Sequence, residues 1–254
     1  MLIYILPAIG FLAGLLIISL GGGGGAVYVG VLTGLCGVAP DIAASTSLAT
    51  AIPTTLMGSF SHYRAGNVHV RIAFYLMAGA VIGTIAGSLC SGLLPLWLYT
   101  KLTGTILIIL ALQMGLSCIY PPTRIRKESS ALTGRDQAKA LAYGMLGGGM
   151  SGLIGLSGGG PITAGLFALG CTPLAAVGTS VFVIFFMSVI GFGMHMGIGH
   201  IDWHLVRLLL SGTVAGAFAG PFLLSRMDKE KVNRWMRPLI ALINLSLGIT
   251  VLLR

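Results

Sequence analysis

The sequence predicts an all-α, polytopic integral membrane protein built from two homologous helical repeats, and three observations carry that prediction. The 254-residue chain is 56% apolar and only 8% charged, whereas soluble domains carry about 25% charged residues. Apolar runs close to the roughly 20 residues needed to span a bilayer follow one another along its whole length. Finally, Pro40, Ala43, Thr46, Ser47, Gly58, His62, Gly66, Gly79, Gly83 and Gly87 recur as Pro173, Ala176, Thr179, Ser180, Gly191, His195, Gly199, Gly212, Gly216 and Gly220, always 133 positions on. A duplication of this kind, with a glycine cluster ahead of each copy, suits a secondary transporter whose halves meet at broken helices near the middle of the membrane.

Taken in order, the apolar segments fall at 2–20, 26–38, 42–61, 70–92, 95–119, 138–156, 160–171, 174–195, 203–224 and 235–253. The first begins Met1-Leu2-Ile3-Tyr4 without a basic flank and runs straight into glycine, so it reads as a retained helix and not a cleaved signal peptide. The second and seventh each follow a glycine cluster and are short for straight spans at about 1.5 Å per residue. They read as half-helices or re-entrant pieces, which a bilayer tolerates where protein shields them or they line a cavity. Gly79, Gly83 and Gly87, like Gly212, Gly216 and Gly220, lie at four-residue spacing on one helix face. That spacing predicts close helix packing, read here as packing within each repeat. A polar stretch at 120–137, carrying Pro121, Pro122 and Gly134, divides a first repeat (1–119) from a second (138–254) and reads as a cytoplasmic linker.

Charge selects the topology. If each glycine cluster lies inside one continuous helix, the chain crosses eight times, the halves are parallel, and the Lys and Arg residues divide nine to six between the two sides. If each cluster makes a real turn, there are ten segments in two inverted halves of five. Arg64, Arg71 and the basic groups around 124–139 and 226–237 then share one face, a division of twelve to three. The positive-inside rule favours the second arrangement, with both termini outside. It also explains the net charge of +9 as orientation, with no nucleic-acid partner implied. Cys36, Cys90, Cys118 and Cys171 show no CxxC spacing and read as small buried residues. His195, His200, Asp202 and His204 fit no standard ligand spacing, so no metal site is expected, and nothing implies a cofactor.

The residues that could carry function are few. Gly23, Gly24 and Gly25, and Ser157, Gly158, Gly159 and Gly160, each close one apolar segment and open another. Helix N-termini expose unpaired N–H groups that can hold an anion; tight packing through small residues is the alternative. Thr46 and Ser47, repeated as Thr179 and Ser180, supply hydroxyls that could donate to a substrate oxyanion or cap and back-bond their own helices. His62 and His195 end corresponding segments and are candidates for gating or proton coupling, although a polar tip costs little at a membrane interface. All six acids fall in loops or at segment ends. A pathway of hydroxyls, glycine amides and helix ends suits a small anion better than a metal ion or a sugar.

These motifs resemble the sulfite exporter TauE/SafE family of bacterial membrane transporters over nearly the whole chain. The likeness is strongest in Gly158-Gly159-Gly160-Pro161, Ala176-Val177-Gly178-Thr179-Ser180, His195 and Gly199-His200-Ile201-Asp202-Trp203. The first half matches through Gly23-Gly24-Gly25, Thr46-Ser47, His62 and Gly66-Asn67-Val68, and departs at Tyr28-Val29-Gly30, where the family usually has a proline. The resemblance implies a multi-pass protein of the bacterial inner membrane that moves small sulfur-containing anions such as sulfite or organosulfonates, coupled to protons. Alternating access is the reading this favours. An anion channel and a membrane-embedded enzyme using the paired histidines are the alternatives. The expected partners are a small anion and the lipid bilayer, and a homo-oligomer is compatible with the chain.

Overall fold

The computed structural model describes residues 5–20, 24–119, 132–198, 201–225 and 229–253. They form ten helices: α1 Leu6–Leu20, α2 Gly25–Gly30, α3 Pro40–Arg64, α4 Val70–Ser91, α5 Leu96–Ile119, α6 Gly134–Ile154, α7 Gly159–Ala168, α8 Pro173–Ile198, α9 Trp203–Ser225 and α10 Lys229–Leu252. A π-helical turn, Val31–Leu35, continues α2 directly. No strand occurs among the described residues.

Local chemistry sets the helix ends. α3 starts at Pro40, where a missing N–H and a fixed φ suit the first turn. α6 starts at Gly134, inside the stretch expected to be linker, because Thr133 and Asp136 form a reciprocal capping box. The Thr133 hydroxyl accepts from the Asp136 N–H at 3.3 Å, and the Asp136 carboxylate accepts from the Thr133 N–H at 3.2 Å. Gly155, left-handed at φ 69°, ends α6 by donating its N–H to Ser151 O at 2.9 Å.

The turn after α6 is a real reversal. Gly147 of α6 lies against Gly158 and Ile162, and Gly165 lies against Tyr143. Positions rise on one helix as they fall on the other, so α7 runs back along α6. This excludes a continuous broken helix at 138–171.

The glycine stripes pack across the midpoint of the sequence, against the expectation of packing within each repeat. Gly79, Gly83 and Gly87 of α4 sit on Leu141, Met145, Gly149 and Leu153 of α6, with the two helices parallel. Gly144, Gly148 and Gly152 return the contact onto Leu76, Ala80 and Thr84. Likewise Gly212 and Gly216 of α9 meet Pro7 and Phe11 of α1, and Gly10 and Gly14 meet Leu209 and Thr213. A side chain at any of these glycines would collide with backbone of its neighbour, and close backbone approach is what holds helices together where lipid offers no hydrophobic gain.

α3 and α8 form an antiparallel central pair. The Ser59 hydroxyl donates to Val181 O at 3.1 Å toward one end, and Leu48 lies against Gly191 toward the other. α5 and α10 are also antiparallel: Gly104 faces Gly248 and Leu252, and Lys101 Nζ donates to Leu252 O at 2.7 Å. Within a largely apolar interior, α3 carries a buried run of hydroxyls while large apolar side chains face outward. Ser45, Thr46, Ser47, Thr50, Thr54, Thr55 and Ser59 of α3 are all buried, whereas Leu12, Phe74, Leu93, Phe218 and Leu253 are more than half exposed. Three helices among the described residues, Val70–Ser91, Leu96–Leu116 and Pro173–Gly197, are long and apolar enough to cross a membrane.

Candidate functional site

The start of α2 meets the glycine turn between α6 and α7, and α3 ties them together. Gly25, the first residue of α2, lies so close to the α6–α7 turn that a side chain would strike Ser157 Oγ and the backbone of Leu156. The Ser47 hydroxyl donates to Gly155 O at 3.0 Å, with Gly25 O at 3.5 Å from the same oxygen. Gly155 in turn packs on Ala44 of α3, where a Cβ would stand 2.5 Å from Ala44 Cα. One serine therefore joins the start of α2 to the end of α6, 130 positions apart (Gly25 to Gly155) in the sequence.

The turn itself is conformationally unusual. Gly155, Ser157 and Gly158 adopt φ of 69°, 58° and 59°. Glycine accepts this region freely, but Ser157 holds it at a cost of about 1–2 kcal/mol. Strain of this kind concentrates at functional sites when surrounding structure enforces it. Here Gly25 and Ser47 provide that enforcement.

Several hydroxyls of α3, α4, α6, α8 and the α6–α7 turn are buried without a hydrogen-bond partner. Thr46 Oγ1 and Ser157 Oγ belong to the residues expected from the sequence. Thr84 and Ser88 of α4, Ser151 of α6 and Ser188 of α8 do not, and they are equally buried and unpartnered. Thr84 and Ser88 flank Gly152, and the Thr84 methyl also approaches Gly191 of α8. Their sequence signal was the i, i+4 spacing of two hydroxyls inside an apolar span, with Ser151 four residues before Gly155. Leaving a buried hydroxyl unsatisfied costs about 1–3 kcal/mol, a cost that a bound oxyanion would relieve.

The remaining expected residues lie as follows. Gly24 caps α2 with φ −71°, and Gly23 falls outside the described residues. Gly158 precedes α7, Gly159 opens it, and Gly160 faces Leu110 and Gln113 of α5. Thr179 Oγ1 accepts from the His69 N–H at 2.9 Å, and the Asn67 carbonyl packs on Gly178, so the α3–α4 turn seats on the start of α8. The Ser180 hydroxyl donates back to Val177 O at 2.9 Å. Thus Ser47 joins the start of α2 to the end of α6, while Thr179 is engaged by the α3–α4 turn.

The two histidines differ. His62 is half-buried at the end of α3, its Nδ1 3.4 Å from Asn67 Nδ2. His195 is 2% exposed, because α8 continues past it to Ile198. Its Nδ1 lies 2.9 Å from Gly191 O, which requires the proton on Nδ1 and leaves Nε2 an acceptor in the neutral ring. That Nε2 is buried without a partner.

Known proteins place this architecture. The chain is 29% identical to "Probable membrane transporter protein YdhB" of Bacillus subtilis, covering 86% of this chain and 89% of that protein. It is 26% identical to "Probable membrane transporter protein YunE" of the same organism over 96% of both chains. A "Probable membrane transporter protein" of Haemophilus influenzae is 25% identical over 96% of this chain and 91% of its own length. No solved structure matches. Residues 6–250 match the family described as "Sulfite exporter TauE/SafE". The chain thus belongs to the TauE/SafE sulfite exporter family of membrane transporters.

Proposed function

We propose that this protein is a secondary transporter that moves a small anion, a sulfur oxyanion or organosulfonate such as sulfite, across the bacterial plasma membrane by alternating access. The observation that carries the reading is the junction where Ser47 binds the carbonyls of Gly25 and Gly155 beside the unpartnered hydroxyls of Thr46 and Ser157. Neutral donors contributed by both halves can take an anion without placing a second net charge in the membrane interior.

The inverted-repeat arrangement is part of the proposal. It is supported by exchanged packing, since α4 lies along α6 as α9 lies along α1. It is supported as well by the antiparallel course of α3 against α8 and of α5 against α10. With those directions, Arg64, Arg71 and the starts of α6 and α10 fall toward one side, taken as cytoplasmic. Rocking of the halves about the Ser47 junction would then expose it to each side in turn.

Radiolabelled sulfite counterflow into proteoliposomes tests this. A carrier gives saturable uptake that internal unlabelled sulfite accelerates. Absence of flux refutes sulfite transport, and flux that neither saturates nor responds to internal sulfite indicates a channel.

A further inference from the structure

We propose that an anionic phospholipid binds across the paired starts of α4 and α6, its phosphate held by Arg71, Arg135 and Lys139. The inference goes beyond the transporter reading and does not depend on it. The Lys and Arg residues with described side chains fall into two groups. Arg64 lies over the Phe60 ring at 4.7 Å, Lys101 donates to Leu252 O, and Arg207 donates to Trp203 O. Arg71, Arg135 and Lys139 are exposed, and they have no ion pair, hydrogen bond or ring contact among the described residues.

Helix register collects these three groups. Gly144, Gly148 and Gly152 of α6 face Leu76, Ala80 and Thr84 of α4, a constant offset of 68 positions between two parallel helices. Carried back toward the helix starts, that offset sets Arg71 level with Lys139, and Arg135 lies about 6 Å nearer the start of α6. The inner side of the pair is closed: Ala73 and Leu76 of α4, Ala140 of α6, Ile162 of α7 and Val183 of α8 share one buried cluster. The exposed basic groups thus stand together on the outer side. The first turn of α4 is also held in place, since the His69 N–H donates to Thr179 Oγ1 at 2.9 Å.

Further along both helices the outer side turns apolar. Phe74, three residues after Arg71, is 64% exposed, and Leu146, seven residues after Lys139, is 60% exposed. Cations at the helix starts and hydrocarbon beyond them match a phospholipid, with phosphate at the basic groups and acyl chains along Phe74 and Leu146. A guanidinium suits phosphate oxygens through paired N–H donors, and Lys139 adds a further cation. Asp136, the acid beside Arg135 in the sequence, is committed to the α6 cap, where its carboxylate accepts from the Thr133 N–H and hydroxyl.

A free anion would meet only exposed cations in water, whereas a lipid adds the apolar face and the depth at which the bilayer holds its headgroup. α4 and α6 come from opposite sides of the polar stretch that begins at residue 120, so one lipid links segments that the sequence keeps apart. A basic group near an anionic membrane surface strengthens attraction about fivefold, so three such groups exceed a tenfold preference for anionic over zwitterionic lipid.

The test titrates the full chain in neutral detergent with phosphatidylglycerol, phosphatidylcholine or glycerol phosphate, counting bound lipid by native mass spectrometry and following stability by thermal melt. Wild type should bind phosphatidylglycerol at least about tenfold more tightly than phosphatidylcholine and melt higher in its presence, with glycerol phosphate doing neither. The triple variant Arg71→Gln, Arg135→Gln, Lys139→Gln should bind the two lipids alike. Lys101→Gln with Arg207→Gln removes two cations elsewhere and should keep the wild-type preference. If the triple variant does not fold, Arg135→Gln and Lys139→Gln singly should each reduce the preference about fivefold. No preference in wild type, a preference unchanged in the variants, or an equal loss in the Lys101 and Arg207 control overturns the site. Glycerol phosphate binding as tightly as the lipid shows a free-anion site and overturns the lipid assignment.

Discussion

Replacing Gly155 with alanine attacks the junction where the end of α6 packs on α3. The added methyl would lie 2.5 Å from Ala44 Cα and 2.7 Å from both Ala44 Cβ and Ala44 O. Ordinary carbon contacts are about 3.5–4.0 Å, so either α3 or the α6–α7 turn must retreat by about an ångström. Overpacking of this kind costs about 1–3 kcal/mol, and holding alanine at φ 69° adds about 1–2 kcal/mol. Displacing Gly155 O from Ser47 forfeits a buried hydrogen bond worth about 1 kcal/mol. The combined effect, about 3–6 kcal/mol, should appear as a clear drop in the thermal unfolding midpoint of detergent-purified protein, with sulfite flux reduced at least about tenfold. Gly66→Ala is the internal control. Gly66 has φ 71° but nothing within 4 Å of the added carbon, so it carries the conformational cost alone. If Gly155→Ala proves no less stable than Gly66→Ala, the packing argument for the junction is wrong.

Further tests address other levels of the structure. Gly83→Leu should separate α4 from α6, and Gly216→Leu should separate α1 from α9; both are expected to lose folded protein in fluorescence-detected size-exclusion chromatography. Gly193→Leu, with open space at its Cβ, should retain it. Thr133→Ala removes the capping box of α6 and should cost about 1 kcal/mol in thermal stability with sulfite KM unchanged, since the cap is exposed and distant in sequence from the breaks. Tyr28→Phe leaves Thr213 without its phenol partner, although the Thr213 hydroxyl still donates to Leu209 O, so a loss of about 1 kcal/mol in the same melt is expected.

Much of this architecture was legible before any coordinates. The apolar runs mark the helices to within a few residues, since lipid imposes one requirement along the whole span. The reversal at Gly158 was legible through charge, because only a real turn gathers the basic loops on one face. What escaped was set by tertiary choice. A glycine stripe identifies a packing face but not its partner, and Gly79, Gly83 and Gly87 found α6 across the midpoint of the chain. Thr133 and Asp136 carried a capping signal inside a polar stretch that looked like linker, so α6 begins earlier than its apolar run. His195 was placed at an interface because hydropathy falls there, yet α8 runs one turn further and buries it.

The candidate site divides in the same way. Gly25, Ser47 and Ser157 were identified because the repeat and the glycine clusters marked them, and the fold brings them together. Thr179 carries the same repeat signal as Thr46, but the α3–α4 turn occupies its hydroxyl, which no pattern of residue types could reveal. Thr84, Ser88, Ser151 and Ser188 sit in apolar spans where a hydroxyl commonly bonds back to its own helix. Only the geometry distinguishes them from Thr50, Thr54 and Thr55, which do so.

The claim that an anion sits where the start of α2 meets the α6–α7 turn is tested most directly by equilibrium binding of sulfite to purified wild type and to a Thr46→Val, Ser157→Ala double variant, each first shown to be folded by its thermal melt. Loss of two hydroxyl donors to an anion, at about 1.5–3 kcal/mol each, predicts saturable binding by wild type and binding weakened at least about a hundredfold in the variant. Equal affinity in the two proteins would contradict the account.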